Sequence, residues 1–234
     1  MKLPEVGEKG QKLLAEATVL AVGVGGLGCA SLPWLVRAGV GRIVIMDPGV
    51  VDEPDLGRQL LYRVEDIGES KAMVSARVLS RMNPLVEVLP ANVALDANSI
   101  GHFASTASVI LDGTDRLEPR RIINAFSVAT SIPWVYGGAV GWAGSVLASG
   151  ANGPCWECVF GNEPAPPSCD EAGVIGPAVG WVGATQAAQV LRIILGEVIG
   201  GQLLTADLLR SNFRTLGVKR NPVCPICSTD AQKK

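Results

Sequence analysis

Histidine is almost absent from this chain: His102 is the only one in 234 residues. That argues against a Ser-His-Asp triad and against a histidine-rich metal site. His102 itself is expected to be a satisfied surface or core residue. Charge is scarce too. Asp, Glu, Lys and Arg make up 18% of the residues, against about a quarter in a typical domain, a hint that part of the surface is covered by a partner or a second copy. There is no basic surplus: 20 basic and 22 acidic groups leave a net −2, so overall charge draws the chain neither to nucleic acid nor to an anionic membrane. The first fourteen residues, MKLPEVGEKGQKLL, lack the apolar core of a signal peptide, and the chain is expected to be cytoplasmic. Repeats and low-complexity tracts are missing. One uncharged run of twenty residues, 172–191, is long enough to span a bilayer. Gly173, Gly176, Pro177, Gly180, Gly183, Gln186 and Gln189 interrupt it, so it reads as a buried helix with a glycine-rich lead-in.

What is present is apolar sequence, at 48% of residues, enough to bury a sizeable core. Short apolar strands are expected at 19–23, 42–47, 86–89, 108–111, 133–138 and 145–148. Helices are expected at 27–38, with Pro33 in its first turns, and at 70–82 and 119–129. Met73, Ala76 and Leu79 share one helix face, and Asn83-Pro84 ends that helix. Strands alternating with helices imply an α/β fold, with a mainly parallel sheet and helices on both faces. The texture changes near residue 150. Residues 153–170 hold Pro154, Pro164, Pro166, Pro167 and three cysteines, which reads as a long irregular crossover loop. Helix returns at 174–195, and strands follow near 203–209 and 213–218. The expectation is one domain over 1–234, with a C-terminal appendage of strands and cysteines at 203–234.

The strongest local motif is Gly23-Val24-Gly25-Gly26-Leu27-Gly28, set between a strand and a helix. Such glycines allow a tight turn and a close approach of backbone to a phosphate at the helix N-terminus. Asp47 ends the next strand, nineteen residues after Gly28, placed to accept from ribose hydroxyls. A bare strand–helix turn remains the alternative, and the motif does not choose between NAD and ATP. The residues that follow do choose. Arg58, Gln59 and Lys71 come after Asp47, and Asp112-Gly113-Thr114-Asp115 comes after a strand. Two cations beside a glycine loop suit a triphosphate, and Asp115 suits Mg²⁺. Each charge taken alone reads as surface.

Six cysteines complete the inventory. Cys155, Cys158, Cys224 and Cys227 form two C-x-x-C pairs, the spacing of a closed, structural four-thiolate zinc site. Sixty-five residues separate Cys158 from Cys224, so the metal would tie the C-terminus back to mid-chain. Free buried thiols are the alternative. Cys169 precedes a helix, a position that lowers a thiol pKa, while Asp170 and Glu171 oppose the effect. Cys29 reads as core.

Taken together, LPEVGEKGQKLL, the glycine loop, Arg58-Gln59, Lys71, the 112–115 turn, SCDEAGVIGP and both cysteine pairs resemble the ubiquitin-activating-enzyme superfamily. The resemblance is to its bacterial branch of MoeB/ThiF/HesA-type sulfur-carrier adenylyltransferases, and it covers nearly the whole chain. It implies a Rossmann-like fold and a homodimer. It also implies that a small ubiquitin-like sulfur-carrier protein ending in Gly-Gly is adenylylated with ATP and Mg²⁺, releasing pyrophosphate. Arg58 and Lys71 match the family's phosphate-binding positions, Asp115 its Mg-linked aspartate and Asp47 its ribose carboxylate. Gln59 follows the family arginine, and Asp55 precedes it. Cys169 matches a loop cysteine that in some members links covalently to the carrier or to sulfur. Four features depart from the pattern. An Arg-Tyr-x-Arg-Gln-like stretch before LPEVG, whose arginine reaches ATP in the partner subunit, is absent. Gly49 replaces the second acid of Asp-x-Asp, Asp55 replaces Asn, and Arg116 replaces Asn after the Mg-linked aspartate. The alternatives are a weakened carrier-binding module or partner subunit, and, resting on the glycine loop and Asp47 alone, an NAD-dependent oxidoreductase.

Overall fold

The computed structural model describes residues 3–150, 153–161, 172–197 and 199–228. Eight strands form one sheet: β1 (Thr18–Val22), β2 (Arg42–Met46), β3 (Glu87–Ala91), β4 (Val109–Asp112), β5 (Trp134–Val140), β6 (Ala143–Ser149), β7 (Gln202–Asp207) and β8 (Asn212–Gly217). Their order is β3-β2-β1-β4-β5-β6-β7-β8. The first five run parallel and β5 to β8 pair antiparallel. The described helices are α1 (Gly7–Glu16), α2 (Gly26–Ala38), α3 (Lys71–Met82), α4 (Ser99–Ala104), α5 (Leu117–Thr130), α6 (Trp156–Phe160) and α7 (Gly176–Ile194).

The sheet is covered on both faces, as its sequence requires. Val19 and Ala21 of β1 join one core with Ile43, Ile45, Val109 and Leu111. Leu20 and Val22 face the other way and join Met46, Ile110, Trp134 and Leu147. The period of two along each strand splits these near-continuous apolar runs between two cores. α2 and α7 pack on the first side, where a Cβ on Gly183 would run into Ala30. That close approach explains why the uncharged run at 172–191 carries glycines: it is a helix packed tightly on another helix. Among the described residues no helix is long and apolar enough to cross a membrane.

Three helices are additions to the sequence reading. α1 contains Gly7 and Gly10, poor helix formers, yet it forms with Gly10 and Leu14 buried, and a Cβ at Gly10 would require the Leu195 side chain to move. α4 and α6 are short, with six and five residues, and α6 lies inside the expected irregular loop. Pro33 is a correction: it sits at the eighth of the thirteen residues of α2, not in the first turns. Burial of Leu27, Leu32, Leu35 and Val36 along this helix outweighs the missing backbone donor.

Candidate functional site

β1 and β4 are neighbours whose chain connections leave in opposite directions, and ligands in open α/β sheets bind at that switch point. A glycine follows each strand. Gly23 has φ +86° and donates to the Met46 carbonyl at 2.7 Å, while Gly113 donates to Val22 at 2.8 Å. A Cβ at Gly23 would lie 2.9 Å from the Gly113 carbonyl oxygen, and one at Gly28 would lie 2.5 Å from the Gly23 oxygen. These glycines therefore let two turns and a helix touch backbone to backbone. Gly25 differs: only Gln59 Nε2, at 3.9 Å, comes near its Cβ direction. It caps α2 without a side-chain hydrogen bond, which leaves helix-terminal N–H groups for an anion.

A cleft of about 1130 Å³ opens here, lined by Gly23, Gly25, Gly26, Asp47, Asp55, Arg58, Gln59, Lys71 and Asp115. Gly28 lies behind it, under the Gly23 carbonyl. Asp47 is buried. Its Oδ2 accepts from Val24 N at 2.8 Å and its Oδ1 from Gly49 N at 2.7 Å, so the carboxylate braces the glycine loop against the turn after β2, on the lining of the cleft. A largely exposed 3-10 turn, Glu53–Gly57, carries the buried Asp55. Asp55 Oδ2 pairs with Lys71 Nζ at 2.8 Å, and its Oδ1 lies 3.6 Å from Arg58 and accepts from Gln59 Nε2 at 2.5 Å. Lys71 opens α3, behind the N-cap Ser70. Gln59 is buried, and among the described residues its Oε1 has no protein partner, leaving an acceptor for a ligand or water.

The β4 turn supplies the opposite wall. Asp115 and Arg116 are exposed at its lip and line the cleft. Asp112 is fully buried and structural. It accepts from Thr114 N at 2.9 Å, Thr114 Oγ1 at 2.6 Å and Arg120 Nε at 3.2 Å. Burial pushes its carboxyl up, and Arg120 pulls it back. Arg120 also donates to the Thr114 and Gly137 carbonyls at 2.7 and 3.0 Å and stacks 4.9 Å from the Tyr136 ring centroid.

The cysteine pairs meet as their spacing implies. The sulfur atoms of Cys155, Cys158, Cys224 and Cys227 all lie within 4.8 Å of one another. The separations 155–158, 155–224 and 158–227 are 3.8, 3.6 and 3.3 Å. Four sulfurs around tetrahedral zinc sit about 3.8 Å apart, so this donor set fits the ion. Asn221 N donates to Cys158 Sγ at 3.3 Å, a contact that would steady a metal-bound thiolate. Arg220 reaches the Cys227 carbonyl from the same turn. Cys29 is core: its thiol donates to the Val24 carbonyl at 3.3 Å, and burial raises its pKa to about 12. His102 is exposed on α4, stacked edge-on against Phe103. Cys169 lies outside the described residues.

Two residues of the site escaped the sequence reading. Arg120 sits five residues beyond Asp115, but nothing in its local pattern marks it as buried. Tyr62 is one of only two tyrosines in the chain. Its hydroxyl contacts the Val24 carbonyl at 2.7 Å and Ser75 Oγ at 3.0 Å, directly beneath the glycine loop.

A glycine-capped helix at a sheet switch point, two cations and an exposed carboxylate on one cleft define an α/β nucleotide-binding protein. The comparisons narrow the class. The model described as the ThiF family matches residues 1–226, and the chain belongs to that family. It is 38% identical to the sulfur carrier protein adenylyltransferase of Thermus thermophilus, over 100% of this chain and 90% of that one. It is 33% identical to the SAMP-activating enzyme E1 of Haloferax volcanii, over 96% and 85%. The solved structure of Escherichia coli MccB with MccA-N7isoASN superposes with a TM-score of 0.84 over 94% of this chain and 69% of that one. At 20% identity, that last match shows a shared fold.

Proposed function

We propose that this protein is an adenylyltransferase that activates the C-terminal Gly-Gly carboxylate of a small ubiquitin-like sulfur-carrier protein. A carboxylate oxygen of the carrier attacks the α-phosphorus of ATP. The bond to the bridging oxygen breaks, pyrophosphate leaves, and an acyl-adenylate forms. The attacking group is already ionised at neutral pH, which suits a site without histidine. The work left to the protein is to align two anions and offset charge on phosphate oxygens. The observation that carries the reading is the joint placement of the glycine-capped end of α2, Arg58, Lys71 and Asp115 on one cleft.

In this reading Gly25 and Gly26 receive the phosphates on backbone N–H groups, Gly23 shapes the turn beside them with its own N–H held by the Met46 carbonyl, and Asp47 accepts from the ribose. Arg58 and Lys71 hold the phosphate oxygens. Gln59 fixes Asp55, and Asp55 in turn contacts both cations. Asp115 is the hard oxygen donor for Mg²⁺, which offsets phosphate charge when bound. Zinc at the four cysteines is structural, because four thiolates leave no open position. Cys169 is the residue to examine for a covalent link to the carrier or to sulfur, and a Cys169→Ala protein that retains both adenylation and sulfur transfer removes that role. Residues 1–234 act as one domain, with 153–170 crossing over and 203–234 carrying the last strands and the second cysteine pair; the single continuous sheet supports this. A cytoplasmic homodimer completes the reading. The exposed apolar side chains Leu60, Val64, Ile67 and Met73, just beyond Gln59, support the dimer.

The test is ATP–pyrophosphate exchange with a cognate Gly-Gly carrier. Exchange is expected with the native chain, and Lys71→Ala is expected to lower it by about a hundredfold or more. Carrier binding with no exchange would move the protein to a non-catalytic binding role.

A further inference from the structure

Asp55 is a negative charge set where a polyanion has to bind. The site offers Lys71 and Arg58 to phosphate, and Asp55 touches both. Its carboxylate is not free to swing aside. Oδ2 also accepts from Asp52 N at 3.0 Å, closing the cap of the 3-10 turn, and Oδ1 holds Gln59 Nε2 at 2.5 Å. Lys71 is anchored as well, since its own N–H donates to the Gly49 carbonyl at 2.9 Å. The side chains of Lys71 and Asp55 are 15% and 9% exposed, so water screens the pair poorly. Gly49 flanks Lys71 on another side, 3.5 Å from Lys71 Cδ along its Cβ direction, and brings no charge. Asp55 is thus the acid that confronts this lysine.

We propose that Asp55 is a built-in competitor for Lys71, which lowers the affinity of the site for nucleotide and makes binding depend steeply on a divalent cation. The proposal rests on the nucleotide reading above. An ammonium has three donors, so Lys71 can hold Asp55 and a phosphate oxygen together. Two acceptors on one tetrahedral nitrogen lie about 4.6 Å apart, close enough for strong repulsion between like charges in a half-buried cleft. A bare triphosphate meets that repulsion in full. A magnesium complex carries less net charge, so it meets less of that repulsion.

The experiment is calorimetric titration of the intact protein with a non-hydrolysable ATP analogue, with Mg²⁺ and with EDTA. Asp55→Asn keeps the shape and the acceptor for Asp52 N. Asp55→Ser is the second neutral variant, with thermal melts as the fold control. Both variants are expected to bind the analogue about tenfold more tightly in EDTA. With Mg²⁺ the gain is expected to be about two- to threefold, so the ratio of the two affinities shrinks. A merely structural role for Asp55 predicts weaker binding in both conditions. Native protein that binds while folded variants bind equally or more weakly overturns the proposal and leaves the function intact. Absence of binding by every form, Mg²⁺ included, overturns the nucleotide reading and the proposal with it.

Discussion

The Tyr62 hydroxyl donates to the Val24 carbonyl at 2.7 Å, and so pins the middle of the glycine loop from below. The same oxygen lies 3.0 Å from Ser75 Oγ and 3.4 Å from the Lys71 carbonyl, both on α3. One phenol therefore spans the loop meant for phosphates and the helix that presents Lys71. Tyr62→Phe removes the bridge and keeps the ring packing. Chemical denaturation should show a loss of about 1 kcal/mol. The KM for ATP should rise several-fold while kcat changes less, because positioning of a binding loop is lost rather than a reacting group.

Arg120 neutralises a carboxylate that has no contact with water. Arg120→Met leaves Asp112 buried with only Thr114 as partner. The expected loss is about 3–5 kcal/mol, the range for breaking a buried pair from one side. The double variant Arg120→Met/Asp112→Asn should recover much of it, because no uncompensated charge remains. Urea unfolding of the three proteins checks this.

The four-cysteine cluster brings together chain segments far apart in sequence, which a bound metal would tie to each other. Metal analysis of the native protein should give about one zinc per chain. Cys227→Ser or a strong chelator should remove it, lower the thermal midpoint, and open residues 219–228 to protease before the rest of the chain. A midpoint unmoved by complete zinc removal would contradict a structural role.

Cys29 should make the protein sensitive to alkali. Burial, the largest cause, raises its pKa from 9.0 to about 12. Above pH 9 the unfolded chain releases this proton while the folded chain keeps it. The unfolded state then binds fewer protons, so stability falls as pH rises through that window, by about 1.4 kcal/mol per pH unit for one such group. Burial also raises the Tyr62 hydroxyl, adding to the loss at higher pH. Cys29→Ala should show a shallower decline between pH 9 and about 11 in stability measured against urea. Below pH 8 the native thiol should resist alkylation.

Much of this architecture was legible residue by residue. Short apolar stretches alternating with helical segments announced a mainly parallel sheet, because strands buried on both faces have little room for polar residues. The glycine loop, Asp47, Arg58, Gln59, Lys71 and Asp115 were readable because their spacing follows strand ends, and strand ends converge. Harder to read were elements whose residues contradict their local propensity. Gly10 lies in α1 and Pro33 in mid-α2 because burial of other residues on those helices outweighs the local propensity penalty. Arg120 resembled any surface arginine of a helix, since nothing within a few residues of it shows that Asp112 lies in reach.

By itself the sequence determined the succession of eight strands, the glycine turn, and a pair of two-cysteine clusters with metal spacing. These are local properties of composition and period. Tertiary structure alone decided which charges meet. It set Asp55 against Lys71, buried Arg120 on Asp112, and drew Cys155 to Cys224 across 69 positions. Such contacts depend on how the sheet twists and how closely α2 and α7 approach, and no short window of residues carries that information.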